Sequence, residues 1–300
     1  MKVVVTGSHG MIGAAVVDAL AAEGHEVVRL VRGSPGPGEV LWDPASGALE
    51  VERLGGVEAA VHLAGAPIAD RRWTDARKQE ILNSRVRSTA LLSERLAELD
   101  PHPTVLLSGS AIGFYGVRGE EVLDEDSAGG TGYLADVVRA WEAATAPAER
   151  AGIRVVHLRT GIVQSPKGGA LKRQLPLFKL GLGGKLASGR QYLSWIALDD
   201  EVRAIAHLLR SDVRGPVNLT SPEPVTSAEF AQTLGRVLGR PARFAVPRLA
   251  LAAVMGSEVA DEMLAGGVRT LPTRLVASGF TFSYPGLEGA LRHLLDRGRP

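Results

Sequence analysis

The segment best suited to chemistry is a glycine run near the amino terminus. Thr6-Gly7-Ser8-His9-Gly10-Met11-Ile12-Gly13 follows the apolar run Val3–Val5 and opens a stretch with helical spacing. In such a strand–turn–helix setting Gly7 makes a tight turn, Gly10 lets backbone approach a pyrophosphate, and Gly13 lets helix pack on strand. The free amides around Ser8, Met11 and Ile12 would then lie at a helix N-terminus, whose partial positive charge holds phosphates. About twenty residues on, an acid would accept from the ribose 2′-hydroxyl of NAD. Here the chain has Val31-Arg32-Gly33 and no acid. A guanidinium suits a 2′-phosphate, so Arg32 predicts NADP(H) in preference to NAD(H), the alternative being a solvated loop charge. The seven histidines show no paired spacing of metal ligands, and no metal is expected.

The elements that would position this loop follow from periodicity. Val3–Val5, Glu26–Val31, Val40–Trp42, Ala59–Leu63, Thr104–Leu107 and Arg154–Leu158 have the character of short buried strands. Met11–Glu23, Trp73–Leu99 and Tyr133–Arg150 carry helical spacing between them. Strands and helices alternating in this way predict parallel β-α-β units and an α/β, Rossmann-type, doubly wound parallel sheet. After about Gly161 proline and glycine punctuate every short run, although Pro216–Leu219 still looks like a strand and Ser227–Leu238 like a helix. A cofactor domain over 1–161 is expected, its sheet open to completion by segments at 190–220, with a smaller, irregular substrate-side portion over 162–300.

The 300 residues are 45% hydrophobic and carry a formal charge of +1. That near-neutral balance argues against a nucleic-acid or membrane-surface partner. Without cysteine, thiolate catalysis, disulfides and Cys-ligated metals are excluded. The amino terminus lacks the apolar stretch of a signal peptide, and no apolar run approaches the roughly 18–20 residues that span a bilayer. A soluble cytoplasmic protein is expected.

Beyond the glycine loop, Leu63-Ala64-Gly65 and Ser108-Gly109-Ser110-Ala111 followed by Phe114-Tyr115-Gly116 resemble the extended short-chain dehydrogenase/reductases. Gly189-Arg190-Gln191-Tyr192-Leu193-Ser194-Trp195-Ile196-Ala197-Leu198-Asp199-Asp200 is similar to a segment of their sugar-nucleotide epimerase branch. Arg71-Arg72-Trp73-Thr74, Ser84-Arg85-Val86, Trp141-Glu142 and Asn218-Leu219-Thr220-Ser221 resemble an atypical, NAD(P)-dependent epimerase-like group without an assigned substrate. The resemblance runs from Met1 to about Leu291. It implies cofactor-side positions for Leu63, Ala64, Gly65, Ser108 and Arg85 (where the superfamily often has Asn), and a homodimer; Arg159, at the carboxyl end of the sixth strand, is expected near the nicotinamide from its position.

In the superfamily a Ser or Thr, a Tyr and a Lys four residues after the Tyr carry out hydride-linked acid–base chemistry. The resemblance places Ser110 just past the fifth strand as the first of these and Tyr133 as the second, with the bland alternatives of a turn serine and an amphipathic helix residue. The lysine is missing: Val137 stands four residues on, and no lysine occurs between Lys78 and Lys167. Leu193 likewise stands near where the sugar-nucleotide branch grips a diphosphate with Arg. The expected function is an NADP(H)-binding, epimerase-like oxidoreductase acting on a small carbonyl or hydroxyl compound. The alternatives are a non-catalytic NADPH-binding sensor or interaction protein, and a nucleotide-sugar epimerase with an altered phosphate grip.

Overall fold

The computed structural model describes residues 1–297, so the last residues of the expected 162–300 portion lie outside the described residues. Eight strands form one sheet: β1 (Lys2–Thr6), β2 (Glu26–Val31), β3 (Glu39–Asp43), β4 (Ala48–Leu49), β5 (Ala59–His62), β6 (Val105–Ala111), β7 (Arg154–Thr160) and β8 (Gly215–Leu219). Their spatial order is β8-β7-β6-β5-β1-β2-β3-β4. Every pairing is parallel except that of the short β4 with β3. The chain runs outward from β1 through β2 and β3, then returns to β5 on the other side of β1. This reversal opens a crevice at the carboxyl ends of β1 and β5, where doubly wound sheets bind ligands.

Both faces of the sheet are covered, which is why its strands are apolar runs rather than alternating ones. Val3 and Val5 point into one layer with Val16 and Leu20 of α1 (Met11–Ala22) and Ile205 and Leu208 of a later helix, Leu198–Arg210. Val4 points the opposite way, toward Leu91, Leu92 and Leu96 of α2 (Asp75–Ala97). A third apolar cluster, including Leu171, Phe178, Trp195, Phe230 and Leu291, lies in the carboxyl-terminal half.

Three expectations need correcting. The helix expected over Tyr133–Arg150 is two helices, α3 (Tyr133–Ala143) and α4 (Ala146–Arg150). Pro147 in the first turn of α4 has no N–H to continue a ladder from α3. The helix expected from Trp73 begins at Asp75, because the Thr74 hydroxyl accepts from Arg77 N at 3.2 Å and caps it. Finally, Ser110 lies within β6 and not past it. β5 ends against Ser108, but β7 continues alongside, pairing Ser110 with Arg159 and Ala111 with Thr160.

Candidate functional site

The crevice holds a cleft of about 740 Å³. Its walls come from the turn after β1 (Gly7, Ser8, His9, Gly10), the ends of β2 and β3, the turn after β5 (Leu63–Pro67) and one side of α2. Gly7 has φ +68°, and a Cβ there would lie 2.7 Å from the Leu63 carbonyl carbon. A Cβ on Gly13 would lie 2.1 Å from Gly7 O. Neither position admits a side chain, so backbone alone lines this corner. Below it, Thr6 Oγ1 accepts from Leu63 N and Ala64 N, at 3.1 and 3.2 Å, and lies 2.7 Å from His62 Nδ1. Complete burial pushes His62 down to about 3, so it is neutral and structural.

The cleft brings together Gly7, Ser8, Gly10, Arg32, Leu63, Ala64 and Gly65 from the sequence reading. Ser8 Oγ is buried without a hydrogen-bond partner. Arg32 is exposed and, among the described residues, makes no hydrogen bond or salt bridge. Met11, Ile12 and Gly13 form the first turn of α1 behind the loop; the Met11 side chain would contact a Cβ at Gly168, across from the loop. Periodicity missed Asp43 at the end of β3, Pro44 and Ala45 just beyond it, and Asn83 and Arg87 on α2, which also line the cleft. The Asp-Pro pair after a strand was the available signal, since such pairs initiate turns. Asp43 is held below the usual carboxylate range by the Ser46 hydroxyl at 2.7 Å and the Ala45 amide at 2.9 Å.

A second group lies at the ends of β6 and β7. Arg159 is buried and grips Glu142 of α3 with two bonds, Nε to Oε1 and Nη2 to Oε2, both 2.9 Å. Its Nη1 donates to the Tyr115 hydroxyl at 3.1 Å, which donates in turn to Asn218 Oδ1 at 2.8 Å. The Ser110 hydroxyl donates to Glu142 Oε1 at 2.6 Å. Burial works to raise the Glu142 pKa, but the bonds and charge of Arg159, with Ser110, hold it below its ordinary value. Ser108 is fully buried, its hydroxyl directed to Gly109 O at 3.4 Å. Next to Arg159, the Thr160 hydroxyl donates to Glu201 Oε1 at 2.9 Å. Sequence reasoning named Glu142 and Asn218 only as parts of similar segments, because nothing local reveals a partner seventeen or more residues away.

Tyr133 begins α3. Its phenol donates to the Lys78 carbonyl at 2.7 Å, and its ring meets Trp73 edge-on at 5.0 Å. Burial, resisted by the charge of Arg85, pushes the phenol up to about 12. Arg85 itself is 7% exposed, and burial brings it down to about 10, so it is cationic at neutral pH. The basic residues just before and within α2 are partly engaged by the segment after residue 250. Arg72 donates to the carbonyls of Ala253 and Val254, and Lys78 pairs with Glu258. Glu262 accepts from Tyr133 N and Leu134 N, both at 2.9 Å, at the start of α3. Among the described residues no helix is long and apolar enough to cross a membrane, and no cluster of three or more His, Cys, Asp or Glu could hold a metal.

Comparison with known proteins agrees with this architecture. The family model described as the NAD dependent epimerase/dehydratase family matches residues 3–220, and a domain of unknown function (DUF1731) matches 246–294. The epimerase family protein Mb2239 of Mycobacterium bovis is 45% identical over 297 residues, covering 98% of each chain. A crystal structure of the human epimerase family protein SDR39U1 with NADPH superposes with a TM-score of 0.91, at 36% identity and 99% coverage of both chains. A nucleoside-diphosphate sugar epimerase from Corynebacterium glutamicum has a TM-score of 0.79 at 37% identity, over 98% of this chain and 58% of that one.

Proposed function

Because the chain belongs to the NAD dependent epimerase/dehydratase family, we propose that it binds NADP(H) in the cleft and acts as an oxidoreductase on a small carbonyl or hydroxyl compound. The observation that carries the cofactor choice is Arg32: an exposed guanidinium at the cleft wall with no hydrogen bond or salt bridge among the described residues, its charge bearing only on Asp43 nearby. The nearby carboxylate of Asp43 is engaged by Ala45 and Ser46 instead of standing open to a ribose. The loop fits a pyrophosphate on two further grounds: Gly7 and Gly13 leave no room for a Cβ, and Ser8 Oγ has no partner. The human relative's NADPH supports the same reading. In this proposal residues 1–161 together with β8 hold the cofactor, and the rest of the chain supplies the substrate side.

Bound nicotinamide would supply hydride exchange with a substrate carbon. Ser110 is proposed to orient the substrate oxygen, and Tyr133 to supply the proton. A phenol pushed up to about 12 is protonated at neutral pH, which suits it to donate to a developing alkoxide, the direction of carbonyl reduction. A second reading, an NADPH-binding protein without turnover, is favoured by one observation. The hydroxyls of both Ser110 and Tyr133 are already bonded, to Glu142 and to Lys78 O.

The test is calorimetric titration of NADPH and NADH into the protein and into Arg32→Ala. NADPH is expected to bind tighter, and the variant to lose that preference by about tenfold or more, since a charge-assisted bond exceeds about 1.4 kcal/mol. Equal affinity for both nucleotides, unaltered by the substitution, would refute the cofactor assignment. Depletion of NADPH absorbance by one member of a carbonyl panel separates the enzyme from the binding protein.

A further inference from the structure

Arg85 is a buried arginine with no carboxylate partner among the described residues. Its side chain leaves α2 among packed groups, and only 7% of the residue is exposed. Among the described residues the guanidinium makes one hydrogen bond, Nη1 to Ile81 O at 3.1 Å, and pairs with no carboxylate. The other buried arginines differ: Arg159 has Glu142, and Arg77 has Asp70 and Glu80. A buried cation with most of its donors unused is costly unless something completes its shell.

Three contacts fix where that completion would occur. The guanidinium carbon lies 5.0 Å from the Trp141 ring. It lies so close to Gly65 that a Cβ there would approach it to 3.3 Å, and Gly65 lines the cleft. Its charge is also felt by Tyr133. Tyr133, Val137 and Trp141 are spaced by four along α3 and share one face of it. Arg85 therefore brings a cation from α2 to a helix face that has none of its own, and Trp141 Nε1 on that face is buried without a partner. The cleft runs from Arg32 at the ends of β2 and β3 to Gly65–Pro67 beyond β5. The Arg85 guanidinium packs against Gly65, behind the second end.

We propose that Arg85 is a cofactor-holding residue, whose free N–H donors engage the nicotinamide-riboside half of a dinucleotide while Arg32 engages the adenosine half. This rests on the proposed NADP(H) reading and adds a second anchor to it. Hydroxyl and phosphate oxygens of that half are the acceptors the buried guanidinium lacks. With glycine at position 65 the guanidinium approaches the turn closely; a Cβ there would crowd it at 3.3 Å.

The experiment compares two probes by calorimetry: NADPH, and 2′,5′-ADP, which keeps the adenosine end but has no nicotinamide riboside. Arg85→Met is expected to weaken NADPH roughly ten- to a hundredfold and to leave 2′,5′-ADP unchanged. Arg85→Lys should restore part of the loss, and Arg32→Ala should weaken both probes. Methionine fills the same channel without a charge, so the fold should survive; Arg85→Gln gives the same comparison if it does not. Equal loss of both probes in Arg85→Met would reduce Arg85 to a structural role, and no loss of either would remove it from the site. If the unmodified protein binds neither probe, the NADP(H) reading fails and takes this proposal with it.

Discussion

Replacing Glu201 by Gln should change how stability responds to pH, in a direction opposite to that of an acid held ionised by a cation. Glu201 lies in the first turn of the helix Leu198–Arg210 and has no exposed surface. Oε1 accepts from Thr160, while Oε2 has no partner. Burial pushes its pKa from 4.5 up to about 8. Between those values the unfolded chain carries a carboxylate and the folded chain a neutral acid, so the folded state binds the extra proton. Stability is then fully present below the unfolded pKa, falls as pH rises through the window, and levels off above the folded one. Each pH unit is worth about 1.4 kcal/mol, so the whole window corresponds to about 5 kcal/mol at most. Glutamine keeps an acceptor for Thr160 and cannot ionise. Its amide N–H groups meet the same partnerless space, at a pH-independent cost of about 1–3 kcal/mol. The variant should therefore be the less stable protein near about pH 5 and the more stable one near about pH 9. Urea unfolding followed by tryptophan fluorescence across that range gives both curves. A difference between the two proteins that stays constant with pH would refute the reasoning, because Glu201 would then titrate as an ordinary acid.

Other consequences are equally direct. Gly13→Ala places a Cβ 2.1 Å from Gly7 O, where only backbone could give way; it should cost about 3 kcal/mol or more and abolish stabilisation by NADPH in a thermal shift assay. Glu142→Ala strands the buried Arg159 and should cost about 3–5 kcal/mol, with part of the loss recovered in the Glu142→Ala/Arg159→Met pair; chemical denaturation measures both. Tyr133→Phe should leave NADPH affinity unchanged and lower NADPH-consuming turnover of a carbonyl by about a hundredfold. Undiminished turnover would take the phenol out of the chemistry.

Much of the architecture was legible in the chain itself. Consecutive apolar residues in Val3–Val5 and Ala59–Val61 announce strands buried on both faces, and a glycine run between a strand and a helix announces a phosphate-sized turn. Such signals are local: they depend on residues a few positions apart, and periodicity exposes them. Arg32 was legible for the same reason, because its position is counted from the end of a strand. The extent of β6 was not, since the sequence of Ser108–Ala111 does not say that β7 runs beside it three residues farther than β5 does.

The site's charges were decided by tertiary structure alone. Nothing near Glu142 in the sequence foretells that its carboxylate closes on Arg159 and Ser110, or that the Tyr115 hydroxyl reaches Asn218. Val137 marks the loss of a lysine from α3, but only the packing of α2 against α3 shows a guanidinium at Trp141, on the same helix face. Ionisation states follow the same rule. A histidine at about 3 and a glutamate at about 8 owe their values to complete burial. Burial is set by what many distant segments jointly exclude, and water is excluded only after those segments have come together.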